Sequence, residues 1–169
     1  MTANHNNAAS DPTREIVTTR SHAGRPELRM SRVFAAPRRL VFLAWSSAEH
    51  LARWFTPAPL TTASCELDLR RGGEFRLVMR TPDGLLHPMD ARFTEVVPNE
   101  RIEFTATIED GLEVYTRVTF SEQDGRTTLA VHQTYARETE ATGGAHAGWT
   151  STLDQLAAHV EALVRAGGR

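Results

Sequence analysis

The residues best suited to do chemistry in this sequence are two polar side chains set among apolar neighbours on predicted strands. Thr116 shares the alternation of its strand with Val118, and Gln133 shares that of its strand with Val131. A two-residue turn at Asp124-Gly125 would set Thr116 directly opposite Gln133. Burying such groups without partners costs about 1–3 kcal/mol each. The pair is therefore predicted to supply polar contacts to a ligand in a cavity. Replacing both residues with apolar ones would then keep or raise the stability of the protein and weaken ligand binding.

Two charged residues interrupt apolar runs in the same way. Glu95 follows the alternation of Met89, Ala91 and Phe93, and Arg32 interrupts that of a strand nearer the N-terminus. In a cavity, burial would raise the pKa of Glu95 and allow it to act as an acid or base. A bulge would instead turn Glu95 outward, and a position at the end of the sheet would take both residues out of the cavity. We treat both as candidate polar cavity groups.

The remaining nucleophilic and metal-binding residue types are too scattered to form a recognisable site. None of the seven histidines has another histidine four residues away, and Cys65, the one cysteine, falls on the apolar side of its strand. All 19 basic residues are arginines, which excludes a Schiff-base or P-loop lysine. Metalloprotease, nucleophile-elbow and dinucleotide-binding motifs are absent. The sequence therefore predicts no catalytic residue, no metal, no cofactor, and a core role for Cys65.

Composition sets further bounds on function. The chain has 169 residues, a net charge of −2 and 40% hydrophobic residues, as expected for one soluble domain with a sizeable core. The charge gives no signature of nucleic-acid binding. No run of 18 apolar residues predicts a membrane span, and the first 25 residues lack the pattern of a signal peptide. We predict a cytoplasmic protein with a mobile tail at residues 1–26, one domain at 27–166 and a short C-terminal tail at 167–169.

The elements that position these residues can be predicted from the spacing of apolar side chains. Leu28, Met30 and Phe34 predict a first strand. Two short helices follow it, one with Pro37 in its first turn and one at the capping box of residues 46–49. Further strands are predicted at residues 64–69, 75–81, 89–97, 102–108, 114–121 and 127–133. Their short connections predict an antiparallel meander with one apolar face.

The turns of three hairpins predict cross-strand pairs. The Asp124-Gly125 turn pairs Phe120 with Leu129, and a loop at residues 110–112 pairs Ile108 with Val114. A loop at residues 71–73 predicts four pairs, the charged ones on a solvated face: Leu69 with Phe75, Leu67 with Leu77, Arg70 with Glu74, and Asp68 with Arg76.

A long amphipathic helix is predicted after Gly143-Gly144 and runs to about Arg165. Its apolar stripe steps by four, three, four and three residues through Trp149, Leu153, Leu156, Val160 and Leu163. A curved antiparallel sheet of about seven strands wrapped around this helix would bury both apolar faces together. The predicted fold class is therefore α+β.

Four stretches of the sequence closely resemble a known family. They are RVFAAPRRLVFLAWSSAEHLARWFTP at 32–57, CELDLRRGGEFRLVMRTPDG at 65–84, FTEVVPNERIEFT at 93–105 and GWTSTLDQL at 148–156. They resemble bacterial single-domain members of the family related to the activators of the ATPase of the ninety-kilodalton heat-shock chaperone. That family belongs to the helix-grip superfamily of START and birch-pollen-allergen proteins. The resemblance implies a helix-grip fold. The superfamily hosts lipid carriers, hormone receptors and polyketide cyclases, so the resemblance says less about function than about fold.

The leading hypothesis is a binding protein, rather than an enzyme, that holds a small apolar molecule between the sheet and the last helix. Trp149 begins the apolar stripe of that helix, and Trp54 lies on the short-helix pair that closes the cavity in the superfamily. The predicted ligand-binding residues are Trp54, Phe55, Leu77, Met79, Phe93, Phe104, Thr116, Val118, Gln133, Trp149 and Leu153.

Two alternatives stay open at this point. One is a cyclase or lyase that orients a polyketide-like substrate in the cavity, with Glu95 as acid or base. The other is a partner that activates a chaperone ATPase. The eukaryotic activators carry a separate N-terminal domain, and its absence from this sequence argues against that alternative. We expect a monomer or a weak homodimer, because the apolar face of the last helix is used internally and leaves no heptad seam for a partner.

Overall fold

The computed structural model describes residues 14–167, which form a curved eight-stranded antiparallel sheet packed against a long C-terminal helix. The strands lie in the order β1-β2-β8-β7-β6-β5-β4-β3. Their bounds are Arg14–Arg20 (β1), Pro26–Phe34 (β2), Thr61–Leu67 (β3), Glu74–Arg80 (β4), Leu86–Val97 (β5), Arg101–Ile108 (β6), Leu112–Gln123 (β7) and Arg126–Tyr135 (β8). The predicted helix-grip architecture is confirmed, with eight strands instead of about seven.

The additional strand is β1, which lies in the part of the chain assigned to a mobile tail. It pairs with β2 along its whole length, with Thr18 opposite Leu28. The tail prediction is therefore wrong for residues 14–26, because a turn at residues 21–25 joins β1 to β2. Residues 1–13 of the predicted tail lie outside the described residues. The edge of β2 that faces away from β8 presents a row of backbone N–H and C=O groups, and β1 pairs with this row. Such backbone pairing does not require the apolar alternation on which the prediction relied.

The hairpin between β7 and β8 has the predicted register. Asp124 and Gly125 both have positive φ, 52° and 72°, as a two-residue hairpin turn requires. The turn sets Phe120 opposite Leu129 and Thr116 opposite Gln133.

The other two registers are wrong by two residues. Ile108 pairs with Leu112, and Leu67 pairs with Phe75. A shift of two keeps every side chain on its predicted face, so the alternation of apolar residues could not reveal the error. In the loop between β3 and β4, the Gly73 N–H donates to the Arg70 carbonyl. This bond closes a connection that is longer than the predicted three residues.

The shifted register also changes the ion pairs on the solvent face of β4. Arg76 and Glu74 lie 3.1 Å apart, and Arg92 of β5 lies 3.2 Å from Glu74. Arg70 instead pairs with Asp68 at 2.8 Å, so the predicted Arg70–Glu74 and Asp68–Arg76 pairs are wrong. These side chains are all about half exposed or more, as predicted for a solvated face.

Three helices cover the concave face of the sheet: α1 (Arg38–Leu43), α2 (Ala48–Leu51) and α3 (Glu140–Arg165). The side chain of Ser47 caps α2 by accepting from the His50 N–H at 3.2 Å. Helix α3 begins before the predicted start, so Gly143-Gly144 lies inside it. Trp149, Leu153, Leu156 and Val160 face the sheet and are buried, as the stripe predicted. None of the helices within residues 14–167 has the length and hydropathy that crossing a membrane requires.

Candidate functional site

A pocket of about 400 Å³ opens between the sheet and the N-terminal half of α3. Its floor is built from side chains of β4 to β8, and its sides come from α3 and from the segment after α2. The lining residues are Phe55, Pro57, Leu60, Met79, Met89, Phe104, Ala106, Ile108, Val114, Thr116, Gln133, Tyr135, Ala141, Gly144, Ala145, Gly148, Trp149 and Thr152. Its volume falls in the range of sites for small molecules, roughly 300–1,000 Å³.

The pocket wall is largely apolar and carries no charged side chain within the described residues. No Asp, Glu, Lys, Arg or His stands among the lining residues of the described chain. Aromatic rings make up part of the wall: Phe55 meets Trp149 edge-to-face with their centroids 5.8 Å apart. Such a site favours a small apolar molecule over a charged one, because a charge buried there would have no ionic partner.

Three polar side chains of the pocket wall, those of Thr116, Tyr135 and Trp149, converge on the side chain of Gln133. Its amide oxygen accepts from the indole N–H of Trp149 at 2.8 Å and from the hydroxyl of Tyr135 at 2.7 Å. Its amide nitrogen donates to the hydroxyl oxygen of Thr116 at 3.0 Å. Strand β7, strand β8 and helix α3 are thus joined by one buried network.

The chemistry of Trp149 fixes the orientation of the Gln133 amide. An indole nitrogen can only donate a hydrogen bond, so the Gln133 atom that faces it must be the oxygen. The amide NH₂ group therefore faces Thr116, and the Thr116 oxygen acts as the acceptor. Burial raises the pKa of the Tyr135 phenol above its usual value, so this side chain is a neutral donor in the network.

Six of the predicted ligand-binding residues lie on the pocket wall: Phe55, Met79, Phe104, Thr116, Gln133 and Trp149. The other five lie in the core and do not line the pocket: Trp54, Leu77, Phe93, Val118 and Leu153. The Trp54 indole, for example, is fully buried and donates to the Ala44 carbonyl at 2.8 Å. Alternation along a strand identifies the face of a side chain, but it does not say which part of that face the helices cover.

Arg32 and Glu95, the candidate polar cavity groups, lie elsewhere. Arg32 pairs with Asp154 at 2.6 Å beside the C-terminal half of α3. Glu95 follows a bulge after Phe93 and is partly exposed, as one of the two readings of the sequence anticipated. Neither residue lines the pocket. Assigning them to the cavity is therefore wrong, and Glu95 is not placed to be an acid or base there.

Sequence reasoning missed several wall residues, chiefly Tyr135 and Thr152. Tyr135 stands two residues after Gln133, so the alternation of β8 carries the signal that would have included it. Thr152 stands one turn after Trp149 on α3, and its hydroxyl donates to the Gly148 carbonyl at 2.9 Å. A threonine that satisfies its own helix can face an apolar pocket without an exposed polar group.

Among the described residues, nucleophilic and metal-binding groups are not gathered into a site. Cys65 is half-buried, and burial together with the nearby Glu66 raises the pKa of its thiol to about 11, which suits a packing role. His50 Nδ1 and His159 Nε2 lie 2.9 Å apart between α2 and α3. Across residues 14–167, no group of three or more His, Cys, Asp or Glu side chains could hold a metal ion.

Comparison with protein families and solved structures gives consistent matches over most of the chain. The family model described as activator of Hsp90 ATPase homolog 1-like protein matches residues 35–161. A protein of Chromobacterium violaceum has a TM-score of 0.75 at 29% identity, covering 80% of this chain and 96% of that one. A protein of Nitrosomonas europaea has a TM-score of 0.72 at 27% identity, covering 85% and 97%. None of the curated proteins matches the sequence significantly.

Proposed function

The chain belongs to the family of activator of Hsp90 ATPase homolog 1-like proteins, and we propose that it binds a small, largely apolar molecule in the pocket beneath α3. The observation that carries the proposal is the make-up of the pocket wall. Apolar and aromatic side chains surround one neutral polar network centred on Gln133, and no charged group lines the cavity in the described chain. Such walls bind by burying apolar surface and orient the ligand through a few polar atoms.

Binding is favoured over catalysis by the position of the ionisable groups. General acid–base chemistry needs a titrating side chain within hydrogen-bond reach of the substrate. Tyr135 is the ionisable side chain on the wall, and burial raises its pKa, so it holds its proton at neutral pH. Glu95, the acid or base of the enzymatic alternative, lies outside the pocket.

The proposal can be tested with N-phenyl-1-naphthylamine, a neutral apolar probe whose fluorescence rises in apolar surroundings. We expect saturable binding of one probe per chain. Ala145→Trp should abolish it, because Ala145 lines the pocket and the larger side chain would fill the space beside Trp149. Ala147→Trp is the matched control, since Ala147 lies on the exposed side of the same helix. Equal binding by both variants would place the probe elsewhere and overturn the proposal.

A further inference from the structure

We propose that the polar end of the ligand is an uncharged carbonyl group, such as a ketone or ester, held by the Thr116 hydroxyl and the Gln133 amide nitrogen. This inference rests on the proposed function, because it names the chemical class that the same pocket would take. It follows from counting which hydrogens and lone pairs of the network are already used.

The acceptor side of the network is occupied. The Gln133 oxygen already accepts two hydrogen bonds, from Trp149 at 2.8 Å and from Tyr135 at 2.7 Å. An amide oxygen has two lone pairs, so it has little capacity for a hydroxyl or amine of a ligand. A ligand whose polar end is mainly a donor is therefore poorly matched to Gln133.

The donor side retains two hydrogens. Thr116 accepts from Gln133 at 3.0 Å, which leaves its own O–H without a partner among the described residues. The Gln133 amide spends one N–H on Thr116 and has a second. Both side chains line the pocket and both are buried, so water reaches them poorly when the pocket is filled by an apolar molecule. Two adjacent donors match the two lone pairs of one carbonyl oxygen.

The charge of the ligand follows from the same wall. A carboxylate would also accept two hydrogen bonds, but it would enter a pocket lined by no cationic side chain. Taking an ion out of water without an ionic partner is far more costly than taking out a neutral carbonyl. The combination of two donors with an uncharged wall therefore selects a neutral acceptor.

Three compounds with the same two-ring skeleton separate these possibilities: benzophenone, diphenylmethane and diphenylacetate. Each would be titrated against the parent protein carrying bound N-phenyl-1-naphthylamine. Benzophenone should displace the probe about tenfold better than diphenylmethane, which lacks the oxygen. Diphenylacetate at neutral pH should be weaker than benzophenone by on the order of 100-fold, which is about 2.8 kcal/mol.

Substitutions at Thr116 assign the preference to the proposed donors. Thr116→Val should lower benzophenone affinity by about threefold to tenfold and leave diphenylmethane affinity unchanged. Thr116→Ser should keep the preference, because it keeps the hydroxyl. Thr119→Val is the control, since Thr119 lies on the same strand but lines a depression on the opposite face of the sheet.

The outcomes separate this inference from the function on which it rests. If the probe binds but diphenylacetate or diphenylmethane competes as well as benzophenone, the carbonyl assignment is overturned and the binding function stands. Failure of benzophenone to displace a bound probe, or an unchanged preference in Thr116→Val, overturns it too. If the probe itself does not bind in the pocket, both proposals fall.

Discussion

The indole N–H of Trp149 donates to the amide oxygen of Gln133 over 2.8 Å and so joins helix α3 to strand β8. This contact fixes the orientation of the amide and, with it, the direction of the other two hydrogen bonds that Gln133 makes, with Tyr135 and Thr116. Helix α3 is thus positioned by a directional bond as well as by its apolar stripe.

Replacing Trp149 with Phe should lower the free energy of unfolding more than the same change at Trp45. Trp45 is as well buried, but its indole nitrogen has no hydrogen-bond partner in the described structure. Both changes remove similar volume, and Trp149→Phe also breaks a buried hydrogen bond. We expect the difference in cost to be about 1–2 kcal/mol. Chemical denaturation of both variants measures it, and an equal cost would contradict a stabilising role for the Trp149–Gln133 bond.

The double variant Thr116→Val/Gln133→Leu should be destabilised, which reverses the expectation from sequence. That expectation treated the two residues as a closed pair. Gln133 also accepts from Trp149 and Tyr135, and both donors would be left buried and unpaired. Leaving these two buried donors without an acceptor should lower the free energy of unfolding by about 2–4 kcal/mol in total.

Adding Tyr135→Phe to the double variant provides the control for this prediction. It removes one of the two stranded donors, so part of the lost stability should return. A double variant with an unchanged melting temperature would show that the network contributes nothing to the fold.

Protonation of His159 should destabilise the protein below neutral pH. Burial, the neighbouring His50 and the cation of Arg53 all lower the pKa of His159. The unfolded chain therefore takes up the proton at higher pH than the folded one, and stability falls as the pH drops from about 6.5 through the lowered value. His159→Gln should flatten the melting temperature between pH 5 and 7.

The matched control for the histidine variant lies on the same helix. His146 is exposed, so His146→Gln should retain the pH dependence of the parent. If His159→Gln keeps that dependence as well, another group is responsible for it.

Two glycines should respond oppositely to substitution by alanine. A Cβ at Gly73 would lie 2.0 Å from the Asp68 carbonyl oxygen, a backbone atom that cannot move aside cheaply. Gly73→Ala should cost about 3 kcal/mol or more. Gly143 lies within α3 with nothing within 4 Å of the added atom, so Gly143→Ala should stabilise the protein by about 0.5–1 kcal/mol. Denaturant midpoints of both variants decide this, and a tolerated Gly73→Ala would contradict the tight loop.

The sequence predicted those parts of the structure that depend on local chemistry. The Asp124-Gly125 turn gave the correct pairing of Thr116 with Gln133, because this residue pair suits the positive φ values of a two-residue hairpin turn and so fixes where the turn lies. At the loops of residues 68–73 and 109–111, strand registers that differ by two residues preserve the same alternation, so the local pattern could not choose between them.

The pocket was predicted less completely than the sheet for a related reason. The position of Trp54 relative to the cavity depends on how α1 and α2 pack, which is a property of the whole assembly. The same limit explains β1, whose pairing with β2 is provided by backbone groups that carry no sequence signal. Tyr135 could have been found, since it continues the alternation that revealed Gln133.

The two consecutive glycines near the start of α3 also affect how fast a molecule could enter the pocket. Each glycine lowers helix stability by about 1 kcal/mol relative to alanine. Gly144 is exposed and also lines the pocket. The turn that contains them therefore separates from the sheet at lower free energy than the turns below it, which Leu153 and Leu156 hold against the core. The kinetics of entry and release would then be set by this one turn, while the affinity is set by the walls beneath it.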